Sequence, residues 1–189
     1  VKVNELVSIK RSIESGTTEQ LAVVKNIISD IRSSGDKALG DYTEKFDRVR
    51  LDSFVVTDNE INEAYGRVDS EFISIVREAA DNIRSFHEKQ LRPSWMTTEE
   101  NGSILGQKIT PLDSVGVYVP GGTAAYPSSV LMNVIPAKVA GVKRIVMVSP
   151  PDSEGNLPAA VLIAAKEAGV EEIYKVGGAQ AIGALAYGT

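Results

Sequence analysis

The second half of the chain alternates short apolar runs with helix-patterned segments, and this constrains the fold more than any other feature. Residues 115–119 read as a strand, followed by Gly121-Gly122 and a helix over about 128–140 that Gly141 closes. Residues 144–148 form the next apolar run, followed by Ser149-Pro150-Pro151 and a helix over about 157–168 that Gly169 closes. Residues 172–176 form the third, followed by Gly177-Gly178 and a helix from about Ala179. Apolar strands alternating with helices of about a dozen residues predict a parallel sheet covered on both faces. The crossovers between such strands are right-handed.

The chain changes character near Gly106, and residues 1–92 are charge-rich and helix-patterned. Thr18-Glu19-Gln20 opens an amphipathic helix whose Leu21, Val24, Ile27, Ile28 and Ile31 recur at helical spacing until Gly35 stops the run. Residues 36–46 repeat the pattern through Ala38, Leu39, Tyr42 and Phe46. Residues 54–57 are a short strand candidate, and Asp58 is read as the cap of a further helix. Residues 69–90 predict one long helix that Pro93 cannot continue. Residues 103–119 lack a helical period and read as a hairpin or meander leading into a buried strand. The expected organisation is a helical region over 1–105, then an incomplete Rossmann-like α/β domain over 106–189. That sheet would still lack strands, so an exposed apolar edge is expected, and with it self-association or a complementary chain.

Composition excludes several function classes. Apolar residues are 43% and charged residues 24% of the chain, which supports an ordinary folded core. The formal net charge is −5 and Lys and Arg form no block, so a nucleic-acid partner is not expected. There is no cysteine, which removes disulfides, thiolate metal sites and cysteine nucleophiles. The first residues carry charge throughout and do not read as a signal peptide, and no apolar run is long enough to span a membrane. These features fit a cytoplasmic protein.

Ligands of such sheets bind beyond the C-terminal ends of the strands, where both Gly-Gly pairs stand. Gly121, Gly122, Gly177 and Gly178 would let a ligand approach the backbone, and each following helix start offers free N–H groups. Neither loop has the G-x-G-x-x-G spacing of the dinucleotide fingerprint, and a tight turn accounts for each pair as well. Tyr118 ends a strand at the mouth of the crevice, where its ring could stack on a flat ligand or bond a ribose hydroxyl. A tyrosine at the core's edge is the plainer account. Gln180 is a lone polar residue at the start of an apolar helix, able to serve either the helix terminus or a ligand. Asp152 could stand where a ribose-binding acid stands, although a solvated turn acid is the simpler reading. The one histidine, His87, precedes Glu88, but Leu91 stands where H-E-x-x-H needs its second histidine. A helix-packing or surface histidine fits it better. No nucleophile, general base or metal cage emerges, so no catalytic or metal-ligating residue is assigned.

Two long stretches, SVGVYVPGGTAAYPSSVLMNVIPAKVAGVKRIVMVSPP and VGGAQAIGALAYGT, closely resemble histidinol dehydrogenase. The stretches GDKALGDYTEKFD and NIRSFHEKQ are similar to the same family. The resemblance implies oxidation of L-histidinol to L-histidine in two NAD-dependent steps, the last reactions of histidine biosynthesis. It implies a homodimer, a zinc ion that holds the substrate, and a Glu-His pair that handles protons. It gives Tyr118 and Gln180 as NAD contacts. The family enzyme is more than twice as long, so its catalytic pair and zinc ligands are expected outside this chain, which resembles an N-terminal portion. A related dehydrogenase acting on another amino or sulfo alcohol, and a non-catalytic nucleotide-binding module, are the alternatives.

Overall fold

The computed structural model describes residues 18–121 and 124–189; residues 1–17, Gly122 and Thr123 lie outside the described residues. The predicted binding residue Gly122 is therefore not placed. The order of elements is α1 (Thr18–Asp47), α2 (Asp58–Gly66), α3 (Ser70–Glu88), β1 (Trp95–Thr98), β2 (Ile104–Gln107), β3 (Ser114–Tyr118), α4 (Pro127–Val139), β4 (Arg144–Ser149), α5 (Ala159–Ala168), β5 (Glu172–Lys175) and α6 (Gly178–Tyr187).

The expected parallel sheet is present. Its strand order is β3-β4-β5, with Tyr118 opposite Val148 and Ser149 opposite Lys175. The central strand is RIVMVS, buried from Ile145 through Ser149, which a strand needs when both its faces are covered. Alternation divides the side chains between two cores. Val117, Ile145, Met147 and Ile173 pack with α4 and α5, and α2 and α3 lie outside those helices. Val148, Val176 and Tyr174 pack instead with α1 and α6. The side chains of Val134, Ile135 and Ile163 are wholly buried, each stabilising the fold by about 1.5–3 kcal/mol. Helices therefore lie on both faces, as the sequence predicts.

The predicted helix stops hold. Gly141 and Gly169 have φ of 89° and 83°, a left-handed conformation that costs glycine nothing. Each sets up paired closing bonds. Gly141 and Val142 donate to the carbonyls of Lys138 and Ala137, and Gly169 and Val170 donate to those of Lys166 and Ala165. Gly35 interrupts α1 with φ 52° and ψ −130°, so the two helices read from the sequence meet there at a kink.

Three boundaries differ. The cap of α2 is Thr57 rather than Asp58: Thr57 Oγ1 accepts from Glu60 N–H, and Glu60 accepts from Thr57 N–H, which closes a capping box. Asp58 begins the helix proper and adds negative charge to its first turn. Residues 54–57 form a bridge rather than a strand, with Val55 antiparallel to Tyr174 on the outer edge of β5. The hairpin begins before residue 103, because Trp95–Thr98 pairs with Ile104–Gln107, and both strands are exposed along their length. The change of character near Gly106 thus falls inside β2. Among the described residues, the outer edge of β3 has no strand partner.

Candidate functional site

The C-terminal ends of the three parallel strands bring Gly121 and the Gly177-Gly178 turn to one edge. Pro150, just beyond β4, stands between them. A Cβ on Gly121 would lie 2.7 Å from Pro150 Cγ and 2.8 Å from its carbonyl oxygen. A Cβ on Gly177 would collide with Pro150 Cβ. At both positions, therefore, the space a side chain would take belongs to proline. Close packing within the protein accounts for these two glycines.

Tyr118 and the other turn are joined directly. The backbone N–H of Gly178 donates to Tyr118 Oη at 3.0 Å, tying the end of β3 to the start of α6. Gly178 itself has φ 64° and is exposed. Tyr118 is half-buried, packed against the α1–α6 core.

Gln180 is the residue whose own packing does not explain it. It is 1% exposed, and among the described residues neither Oε1 nor Nε2 has a hydrogen-bond partner. An unmet buried polar group costs about 1–3 kcal/mol, so such groups are rare in the absence of a further partner. The amide folds back over the first turn of α6: Oε1 lies 2.5 Å from where a Cβ on Gly178 would sit. Ser149, at the end of the central strand, is likewise fully buried with an unpartnered Oγ. Sequence reading missed Ser149. The signal available was a single hydroxyl closing the apolar run Ile145–Val148, at the end of the strand where ligands of parallel sheets bind.

The charges nearby are committed to each other. Lys175 Nζ, at the end of β5, donates to Glu60 Oε1 at 2.9 Å. Burial pushes the Glu60 carboxyl up, but the Thr57 N–H, the Lys175 ammonium and the Thr57 hydroxyl outweigh it and hold the group below its ordinary value. Asp152 is a turn acid, as the simpler reading has it: its Oδ1 accepts from the N–H groups of Glu154 and Asn156, both at 2.9 Å. His87 lies on α3 and meets Gln90 Oε1 through Nδ1 at 2.7 Å, away from the strand ends. A cavity of 630 Å³ lies on the α1–α6 face between Leu39, Phe54, Gly116, Val146 and Leu185. It flanks the body of the strands rather than their C-terminal edge. Among the described residues, no three His, Cys, Asp or Glu side chains gather as a metal site.

The arrangement can bind but has no evident means of moving a proton or attacking a carbonyl. It offers unmet hydrogen-bonding groups at Gln180 and Ser149, an aromatic ring at Tyr118 and an uncapped helix start. Gln180 fits a cofactor with polar edges. Nothing here fits zinc.

The histidinol dehydrogenase family model matches residues 10–189. The histidinol dehydrogenase of Geobacillus kaustophilus is 64% identical over 183 residues, which cover 97% of this chain and 43% of that protein. That of Bacillus subtilis is 58% identical over 185 residues, 98% of this chain and 43% of that protein. The crystal structure of histidinol dehydrogenase from Elizabethkingia anophelis superposes with a TM-score of 0.88 at 38% identity, covering 95% of this chain and 41% of that one. The chain thus spans less than half the length of the relatives it matches. Sequence and fold agree throughout the matched part, and the chain belongs to the histidinol dehydrogenase family.

Proposed function

We propose that this chain forms one wall of the NAD site of a histidinol dehydrogenase, the enzyme that oxidises L-histidinol to L-histidine in two steps. The observation that carries this reading is the buried, unpartnered amide of Gln180 at the strand ends. NAD, when bound, supplies the hydride acceptor. Gln180 would bind it through its amide, and Tyr118 would hold the α6 turn in place while offering its ring edge to the ligand. Gly121, Gly177 and Gly178 would shape the backbone on which the cofactor rests. The proton-handling pair and the zinc ligands would come from elsewhere in the enzyme, and so would most contacts to histidinol. The full enzyme would be a homodimer.

Calorimetric titration of NAD onto the chain tests the binding claim. We expect measurable binding that Gln180→Leu weakens roughly tenfold, the loss of one good hydrogen bond from a buried site. Unchanged affinity in Gln180→Leu would overturn it. Histidinol-dependent formation of NADH by the enzyme containing this chain tests the activity, and its absence would sink that assignment.

A further inference from the structure

The two outer edges of the parallel sheet are not alike. At β5 the edge is taken: Val56 N–H donates to the Ile173 carbonyl at 2.9 Å, and Lys175 N–H donates to the Phe54 carbonyl at 2.7 Å. At β3 it is open. Val119 N–H donates to the Val148 carbonyl at 2.9 Å, so alternation turns the backbone groups of Val117 and Val115 to β4 as well. Those of Ser114, Gly116 and Tyr118 therefore face outward, and among the described residues no strand meets them. Nothing in Ser114–Tyr118 guards that edge, since it holds neither proline nor a charged residue.

The course of the helices dictates where a further strand belongs. The steps from β3 to β4 and from β4 to β5 pass through α4 and α5, which lie on one face. Helix α6 lies with α1 on the opposite face. A right-handed crossover on the opposite face steps the other way along the sheet, from β5 back towards β3. The packing of α6 agrees. Gly178 N–H ties its start to Tyr118, and its last turn lies over Gly116, where a Cβ would come within 2.7 Å of Leu185 Cδ1. Gly188 and Thr189 then line one cavity with Ser114 and Gly116. Helix α6 thus runs antiparallel to β3 and delivers the chain to the N-terminal end of that strand. The relatives are more than twice as long as the part matched here, so the enzyme has chain to place there.

We infer that the outer edge of β3 is completed by a parallel strand from the part of the enzyme that follows residue 189. That strand enters beside Ser114, runs with β3 and takes the outward backbone groups of Ser114, Gly116 and Tyr118. β3 becomes an interior strand like β4, and β5 stays at the edge. The inference rests on family membership and not on the NAD reading.

Amide hydrogen exchange read by NMR, in the 189-residue chain and in the histidinol dehydrogenase that contains it, tests this. Gly116 and Tyr118 amides are expected to exchange fast in the chain alone and on the order of a hundredfold more slowly in the enzyme, with NOEs to residues beyond 189. The Val117 amide, bonded to β4, should be protected in both. Ser114→Pro removes an outward N–H and no bond to β4, so it should leave the urea midpoint of the chain unchanged and lower that of the enzyme. Gly116 and Tyr118 amides that exchange as fast in the enzyme as in the chain would overturn the inference. So would protection of both in the chain alone that rises with its concentration, because a second copy would then hold the edge. The NOEs in the enzyme need neither the isolated chain nor a variant, so they decide the matter even if either folds poorly. No readout uses NAD, so loss of the cofactor reading would leave this inference standing.

Discussion

Helices α2 and α3 and the helices of the sheet begin in opposite ways. In α2, Thr57 and Glu60 satisfy each other's backbone donors, and in α3 the Asp69 carboxylate accepts from Phe72 N–H at 2.6 Å. In α4, α5 and α6 the cap positions are Tyr126, Pro158 and Gly177, and none supplies a side-chain bond. A capped start is complete within the protein. An uncapped start at the C-terminal edge of a parallel sheet leaves donors for something else. At α6 this incompleteness extends to a side chain, since Gln180 is buried without a partner. The two regions thus differ in how complete they are within the protein: α2 and α3 are capped by their own side chains, and the start of α6 is where we propose that a ligand binds.

Substitutions can sharpen this contrast. The largest effect is expected from Gly177→Ala, whose Cβ would strike Pro150; overpacking of this kind costs about 1–3 kcal/mol, visible as a lowered urea midpoint. A midpoint unchanged from the parent would show that the Gly177–Pro150 packing is loose. Next comes Thr57→Ala, which removes the cap of α2 and should cost about 1 kcal/mol without altering NAD affinity. Altered affinity would mean that the capped and uncapped regions are coupled through the Glu60–Lys175 ion pair.

The smallest effect is a pH dependence. The Arg77 guanidinium holds the Glu167 carboxyl below its ordinary value, and Arg144 does the same for Glu172. Both carboxyls bind protons less readily in the folded chain than in the unfolded one. Their contribution is therefore full above the ordinary carboxylate range and is lost as pH falls through the lowered folded values. Urea midpoints measured from about pH 6 down to about pH 3 should decline, and Glu167→Gln should flatten part of that decline. At the alkaline end, Tyr65 is pushed up to about 12 by burial and by its bond to Glu167, so stability should also fall as the unfolded chain's tyrosine ionises first.

The sheet was legible because its signals are local. Apolar runs, turn residues and closing glycines such as Gly141 and Gly169 act within a few residues of themselves. The α2 cap was misplaced by one position because Thr57 and Asp58 are both good caps, and the choice rests on which reaches Glu60. Residues 54–57 have strand character but meet β5 through a single bridge. The positions of Tyr118 at a strand end and Gln180 at a helix start were readable, but that the Gln180 amide lacks a partner among the described residues was not. The packing of Gly121 and Gly177 was not readable either, because Pro150 meets them from a different loop. Ser149 was hidden for a similar reason: that its hydroxyl lacks a partner appears only once the strands are assembled.

The central claim is that Gln180 is retained for a ligand at some expense to stability. Thermal melts of the parent and of Gln180→Leu, each with and without NAD, test it most directly. Replacing a buried, unpaired amide with a methyl-bearing side chain of similar size should leave the melting temperature of the free chain equal or raise it by a few degrees. The same change should remove most of the stabilisation that NAD gives the parent. A free variant that melts several degrees lower, yet is stabilised by NAD as strongly as the parent, would contradict the account.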